Sequence, residues 1–551
     1  MLTPRLTILL TLLLGSAADM KAQDSLLLRD YRFVKQSDAW LTSANGAALV
    51  RFAADNIAEA DLSLSRAKGG LTDFYDAPTA LQATAAVESF MRLSRRTVVF
   101  GAMSYDNHSG ADMAGSAFLP ALSSAALSSY AAMSSQPHLP FDIIEDSLTN
   151  LGRKHRDVYR LTGAVGTDLW NGLSVGLHAD YTAANYAKYK DLRHQNKLMD
   201  MRLSAGLYAP LAPWLQIGLN YQYHRNTESL TFSTYGKNDR VYQSLISYAA
   251  FMGPLEQFGT NGYTDRSRSM PLVSDYHGLG FQLSIGNGTL FAFYNAFDYA
   301  HRHGYYGRRS PYTITYATHR SDVYTYDARL SCLPGKSRYH LDLHLQAENL
   351  ENDGANYREL INDAGATYYD YLTPTKTANK LWVNGSVSMT ADLGVNSETP
   401  EWTLHAGLDW QHRKQTAYVY PYYRRQRLTT QEPFVAATRR IMTRQGVWSF
   451  TLDARFRKGS GEPCEDLSFM EPSDKQQAPA SMDAYLWREY RWLTAAQYQV
   501  GAAVRYAFIM PGTRMKLHAE AAMTHRKANE TYEQCLGRDR TTGTLTIGAT
   551  F

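Results

Sequence analysis

The chain ends Thr541–Phe551 in TTGTLTIGATF, an alternation without a break. A strand has a side-chain period of two, so Gly543, Leu545, Ile547, Ala549 and Phe551 share one face and Thr542, Thr544, Thr546, Gly548 and Thr550 the other. One face is apolar and the other hydroxylated, and the terminal aromatic belongs to the apolar one. Such a segment is an edge strand in a soluble protein and something else in an exported one, so the opposite end of the chain decides between them.

Residues 1–22 carry Arg5, the apolar run LTILLTLLL, and then small residues up to Ala18 and Ala22. This is the pattern of a secretory signal peptide, cleaved after Ala18 or Ala22. The run falls well short of the roughly 20 apolar residues of a spanning helix. An exported chain with this C-terminus resembles the outer-membrane β-barrels, whose last strand ends on an aromatic. The resemblance implies that Leu545, Ile547 and Phe551 form an insertion signal read by the barrel-assembly machinery, and that outer-membrane lipids and lipopolysaccharide surround the protein.

Composition agrees. Mean hydropathy is −0.38, and no later apolar stretch is long enough for a spanning helix. The 38 Tyr, 9 Trp and 20 Phe residues suit two interfacial girdles. With 56 basic against 52 acidic residues and no basic domain, nothing points to nucleic acid. Three cysteines exclude a disulfide scaffold, although Cys464 and Cys535, on long connections of one side, allow one bridge.

From Ile57 onward the chain reads as strand after strand. Leu173, Val175, Leu177, Ala179 and Tyr181 alternate with Ser174, Gly176, His178 and Asp180, and residues 215–224 repeat the pattern. The polar face is charged, with Glu88, Arg92, Asp200, Arg202, Asp327, Arg329, Asp342, His344, Glu348, His405, Asp409, Asp453, Arg455, Lys516, His518 and Glu520 as inward candidates. Segments of about ten residues cross a membrane, whereas sandwich strands average about five or six. About seventeen are legible, and a weak strand within Thr416–Arg444 makes eighteen; fourteen or sixteen stay open. The expected fold is all-β, an antiparallel transmembrane barrel over residues 56–551. Short connections at 94–97, 168–172, 210–213, 287–288, 334–336, 396–400 and 511–513 alternate with longer ones near 107–155, 226–274, 303–319, 353–376, 459–494 and 524–540. Barrels of this type turn tightly on the periplasmic side.

Residues 23–55 are then a plug or a periplasmic segment. They are too short for the globular plug of a TonB-dependent receptor. Asp38, Ala39 and Trp40, followed by Ser43–Leu49 (SANGAAL), resemble the opening of FadL-type outer-membrane proteins, the long-chain fatty-acid transporters and their secretion-system relatives, without the glycine-rich approach usual there. The chain is also similar in organisation to tyrosine-rich barrels of the Bacteroidota. The first resemblance implies a plug inside the barrel, with Asp38, Trp40, Asn45, Ala48 and Leu49 as gating candidates.

No nucleophile elbow, zinc helix or phosphate loop occurs, so catalysis, metal and cofactor have no motif. His301 and His303 share a strand face, and Asp106, His108 and Ser109 hold the atoms of a hydrolase constellation at the start of a loop. The loop Tyr418–Arg427 (YVYPYYRRQR) either recognises glycans or an anionic surface through stacking and guanidinium bonds or, as the preferred reading, offers tyrosines to the outer interface and arginines to lipopolysaccharide phosphate. The expected function is a channel or uptake protein for a small hydrophobic or amphipathic ligand. A barrel that scaffolds a surface lipoprotein or secreted protein, without transport, is the other expectation.

Overall fold

The computed structural model describes residues 27–113, 115–120, 139–144, 150–170, 172–235, 240–258, 270–286, 290–531 and 537–551. The expected signal peptide and Cys535 lie outside them. Eighteen strands form one sheet. They are Ile57–Lys68 (β1), Thr79–Arg92 (β2), Thr97–Met113 (β3), Gly152–Trp170 (β4), Leu173–Lys188 (β5), Arg193–Ala212 (β6), Leu215–Ser233 (β7), Met270–Gly286 (β8) and Phe291–Ser310 (β9). There follow Thr313–Cys332 (β10), Arg338–Gly354 (β11), Thr375–Leu393 (β12), Trp402–Val419 (β13), Tyr422–Met442 (β14), Val447–Ser468 (β15), Gln497–Ile509 (β16), Lys516–Ala528 (β17) and Asp539–Thr550 (β18). Each pairs antiparallel with the next, and β18 returns to β1, so the sheet has no edge.

The closing seam is written in the terminal alternation. In the β1–β18 register Leu62 faces Ile547 and Leu64 faces Leu545. On the other face Ser63 Oγ meets Thr546 Oγ1 at 2.8 Å and Ser65 Oγ meets Thr544 Oγ1 at 2.7 Å. Hydroxyls line the lumen while leucines stand outward: Leu62 is 57% and Leu545 63% exposed. The same belt of outward Leu, Val, Met and Phe runs round the wall, with Trp170, Trp214, Trp402 and Trp448 exposed near the tight turns. A soluble protein does not expose an apolar band of this extent. The protein is an outer-membrane barrel, with its tight turns on the periplasmic side.

Outward hydrogen-bonded carboxylates mark where the hydrocarbon stops. Tyr105 donates to Asp157 at 2.7 Å, Tyr223 to Asp275 at 2.8 Å and Tyr299 to Asp322 at 2.8 Å, each across adjacent strands. A carboxylate in lipid would be costly, so these rows belong to the outer interface. The strands continue beyond them. They run from 12 to 22 residues rather than about ten, because pairing costs nothing extra once both faces meet water or packed protein.

Length alters the connections as well. The expected long loop 303–319 is mostly strand, closed by Pro311 and Tyr312, and Tyr418–Arg427 is a hairpin turning at Tyr420 and Pro421. The latter supplies the strand that makes eighteen. The segment 459–494 contains the end of β15 and a helix, Asp483–Thr494.

Replacing Leu545 by Arg puts a cation against lipid, at about 2–4 kcal/mol near the midplane. Leu545→Arg is expected to lower the urea midpoint for unfolding from phospholipid vesicles, read by tryptophan fluorescence. An unshifted midpoint would contradict the lipid-facing assignment.

Candidate functional site

Residues 27–56 lie inside the barrel at its tight-turn end. They form a helix, Tyr31–Gln36 (α1), and two 3-10 turns, Ala39–Thr42 and Gly46–Arg51. Each starts on a side-chain cap: Asp30 accepts from Phe33 N, Asp38 from Trp40 N, and Asn45 from Ala47 N, all at 3.1 Å. Sequence made these elements short and self-capped, and the wall holds them all round. Lys35 Nζ lies 2.6 Å from Glu88, Arg329 donates to Gln36 O at 2.9 Å, Thr399 donates to Leu28 O at 2.5 Å, and Lys516 bonds Arg29 O.

Trp40 is 1% exposed and packs edge-on against Tyr208 and Tyr294, at 5.1 Å from each. Asp38 accepts from Arg51 Nε at 2.7 Å, and Arg51 Nη1 donates to Tyr208 Oη at 3.0 Å. Asn45 donates to Leu207 O at 2.9 Å and to Gln282 Oε1 at 3.0 Å. Ala48 is buried beside Trp40, and Leu49 beside Phe52, Val98 and Ala164. All five gating candidates therefore meet in the lumen.

Their seat is a row of glycines. Gly166, Gly176 and Gly206 stand opposite one another on β4, β5 and β6. A Cβ on Gly166 would approach Gly46 O at 2.6 Å, one on Gly176 would fall on Ala47 N, and one on Gly206 on Asn45 Oδ1. Gly218 leaves the space that Trp40 occupies, 2.7 Å from where its Cβ would stand. Only hydrogen at these positions lets the 3-10 turn lie against the wall.

The outer half is filled by connections folded back inside. Asp142–Ile144, Tyr242–Ser247 and Leu255–Phe258 form a small sheet packed on Leu230, Phe232, Leu272 and Tyr306 of the wall. Burial pushes the Asp142 carboxyl up to about 6, against hydrogen bonds from Ser116 Oγ at 2.5 Å and Ile143 N at 2.8 Å. The helix Asp483–Thr494 (α2) buries Tyr485 and Leu486 against Phe74 and Phe251, and Trp492 and Leu493 against Leu71 and Leu428. Its Glu489 is held by Arg413, with 3.1 Å between Oε1 and Nη1.

Between wall and infolded connections lies a cavity of about 410 Å³. Tyr75, Tyr186 and Trp492 give it aromatic surface; Arg156, Arg526, Arg540, His108, Asp73 and Asp76 give it charge. Arg156 pairs with Asp106, Arg540 with Asp76 (both 3.2 Å), and Arg526 with Glu432 (3.3 Å). Burial, and then the nearby Glu489, push the Asp73 carboxyl above its ordinary range. Such a chamber suits a small solute with both an apolar face and charge.

The other candidates separate. In β3 the period of two turns Asp106 and His108 toward the lumen, while Ser109 faces out and accepts from Arg153 at 2.8 Å, so the hydrolase constellation is divided. His301 bonds Asp322 at 2.9 Å and His303 stacks on His277 at 6.0 Å, and no metal-holding cluster occurs among the described residues. Arg424 turns inward to Asp466, at 2.6 Å, and to Ser481, and is not offered to lipid phosphate. Cys332 and Cys464 are free thiols. The glycine seat and the chamber were missed in sequence, since each wall residue there reads only as one more inward position. Tyr485, Leu486, Glu489, Trp492 and Leu493, spaced for one helical face, were a usable signal.

A family model described as "Family of unknown function (DUF6850)" matches residues 47–551. Among solved structures the chain is similar to the ferric preacinetobactin receptor BauA of Acinetobacter baumannii, at 8% identity over 91% of this chain and 80% of that one, TM-score 0.36. It is similar to the outer membrane transporter YddB of Escherichia coli at 9% identity over 91% and 81%, TM-score 0.39. At that level of likeness no site or ligand carries across. No curated protein matches the sequence.

Two outcomes follow from the geometry. Gly206→Val is expected to unseat residues 45–47 and raise small-solute flux through reconstituted protein several-fold, with the barrel still folded; unchanged flux would remove the N-terminal segment as the barrier. For Asp142, a carboxyl raised by folding binds its proton more tightly in the docked state. Docking of the small sheet is therefore strongest below the ordinary carboxylate range near 4 and weakens as pH rises through about 6. Protease cleavage of the outer connections should rise across that window in the wild type and stay flat in Asp142→Asn.

Proposed function

Since the chain belongs to the DUF6850 family, described as of unknown function, its activity is read from its own geometry, and we propose that it is an outer-membrane uptake protein for a small amphipathic solute. The solute enters the chamber from the outer side and passes inward when the N-terminal segment shifts. One observation carries this reading: a barrel wide enough for a channel encloses a chamber of about 410 Å³ above a stopper that is not part of its wall. That volume is within the range of about 300–1,000 Å³ for ligand sites.

The stopper is suited to movement. It is seated through side-chain packing and polar bonds rather than strand pairing, so it can shift without opening the sheet. Asp38, Trp40, Asn45, Ala48 and Leu49 act as its gating group. The FadL-type resemblance of residues 38–49 supports uptake, while the arginines of the chamber favour an amphipathic over a purely hydrophobic ligand, which would desolvate them without compensation. Lipid and lipopolysaccharide surround the outward belt, and Leu545, Ile547 and Phe551 serve the barrel-assembly machinery.

A second reading, docking of a surface lipoprotein, is favoured by the exposed hairpin Tyr357–Ile361 and Thr367–Tyr371, where Ile361 is 73% exposed. Recovery of a stoichiometric partner in a pull-down, lost on Ile361→Asp, would favour it.

Uptake is tested in proteoliposomes offered a mixture of amino acids, sugar phosphates and short acyl acids, with the contents resolved by mass spectrometry. One class should accumulate, and Thr524→Trp, which fills the chamber from its wall, should cut that accumulation at least tenfold. Accumulation of no class, or of all equally, would sink the reading.

A further inference from the structure

Three guanidiniums share one carboxylate at the outer end of the chamber wall. Glu432 lies 2.6 Å from Arg457 Nε, 3.3 Å from Arg526 Nη2 and 3.6 Å from Arg455 Nη1, and Arg455 also reaches Asp409 at 3.6 Å. Arg457 is 1% exposed and Glu432 2%. Three cations thus face two anions where water is scarce. Across the chamber Asp76 is engaged by Arg540.

The hydrogen-bond count points the same way. A guanidinium has five N–H donors in a planar fork, and Arg457 uses only its Nε on Glu432. Its Nη1 and Nη2 have no acceptor among the described residues, nor has the indole Nε1 of Trp492. These groups adjoin one another: the Trp492 ring centroid lies 4.9 Å from the Arg457 guanidinium and 5.7 Å from that of Arg526. Buried donors without acceptors are rare and costly. Trp492 and Arg526 line the chamber, and the buried Arg457 lies against the Trp492 ring immediately behind that lining.

We propose that Arg457, Arg526 and Trp492 form an anion subsite that receives a carboxylate or phosphate group of the solute. Two oxygens of a carboxylate or phosphate meet two guanidinium N–H groups at once and one accepts from the indole as well, which neutralises the surplus charge and satisfies the donors together. This rests on the uptake reading for the solute's identity as cargo, while the subsite itself rests on these three side chains. The apolar part of the solute then lies against Trp492 and Tyr75, with the charged end fixed.

Charged quenchers test it in the full-length protein in detergent. The Trp492 signal is the difference between wild type and Trp492→Phe. Iodide should quench it at least fivefold more effectively than caesium at matched ionic strength. Inorganic phosphate or acetate should protect against iodide, and whichever protects at the lower concentration identifies the group. Arg457→Gln and Arg526→Gln should each bring the iodide-to-caesium ratio near one with acrylamide quenching retained. Should either fail to fold, judged by its heat-dependent gel shift, Arg526→Lys keeps the charge without the fork; it should retain iodide preference and need about tenfold more anion for protection. Equal or greater quenching by caesium, or no protection by either anion in the folded wild type, overturns the subsite. If that happens while proteoliposome uptake persists, only the subsite falls; if uptake fails while protection holds, the transport reading falls and the subsite stands.

Discussion

Everything in this molecule follows from the need to satisfy backbone hydrogen bonds where no water can do it. Inside a bilayer an unpaired N–H or C=O costs several kcal/mol, so a sheet can live there only if its last strand returns to its first. The β1–β18 seam is that return, and it is made by two of the shortest strands in the barrel. Their pairing is reinforced on the inner face by Ser63–Thr546 and Ser65–Thr544 and leaves Leu62, Leu64, Leu545 and Ile547 to the lipid. Closure with eighteen strands then creates a second demand. A lumen of that width cannot be filled by wall side chains, as an eight-stranded one can, so it either conducts or is occupied by something else.

The occupants are of two kinds, and the wall differs accordingly. Against the N-terminal segment the wall is cut back to glycine at Gly166, Gly176, Gly206 and Gly218, where backbone meets backbone, and beside that row Tyr208 and Tyr294 close on Trp40 while Asn45 bonds Leu207 O. Against the outer connections it is charged, and guanidiniums of the wall meet acids carried in from the connections, as Arg413 meets Glu489 and Arg540 meets Asp76. A close-fitting seat favours one small piece in one place. A charge-laced wall asks only for counter-charge, which on the uptake reading a solute supplies as well as a connection does.

How much of this was legible in the sequence depends on how local each signal is. Strand facing is local, since it needs only a period of two, and residues 173–181 or 541–551 read correctly from their own alternation. Strand length is not local. Beyond the hydrocarbon the outward face need not be apolar, so in Tyr422–Met442 the run RRQR loses the alternation while pairing continues, and residues 303–319 look like loop for the same reason. The position of the SANGAAL motif on residues 43–49 was readable; its glycine seat was not, because Gly166, Gly176 and Gly206 are 10 and 30 residues apart and become neighbours only through register. The chamber is less legible still. Its lining comes from both ends of the barrel sheet and from three outer connections, so no window of sequence contains it.

The division of charge across the lumen bears on what such a barrel can hold. A filling made wholly of wall side chains would fix one distribution of charge; a filling made of tethered segments can be exchanged piecemeal. Arg526 illustrates the point, since it belongs to the wall, shares Glu432 with two other guanidiniums, and yet faces the chamber. Its charge is too distant from solvent to be screened as a surface charge is and too weakly matched to be an ordinary buried pair. A group in that position gains most from a partner that arrives already ionised, and the chamber is the side from which such a partner can come.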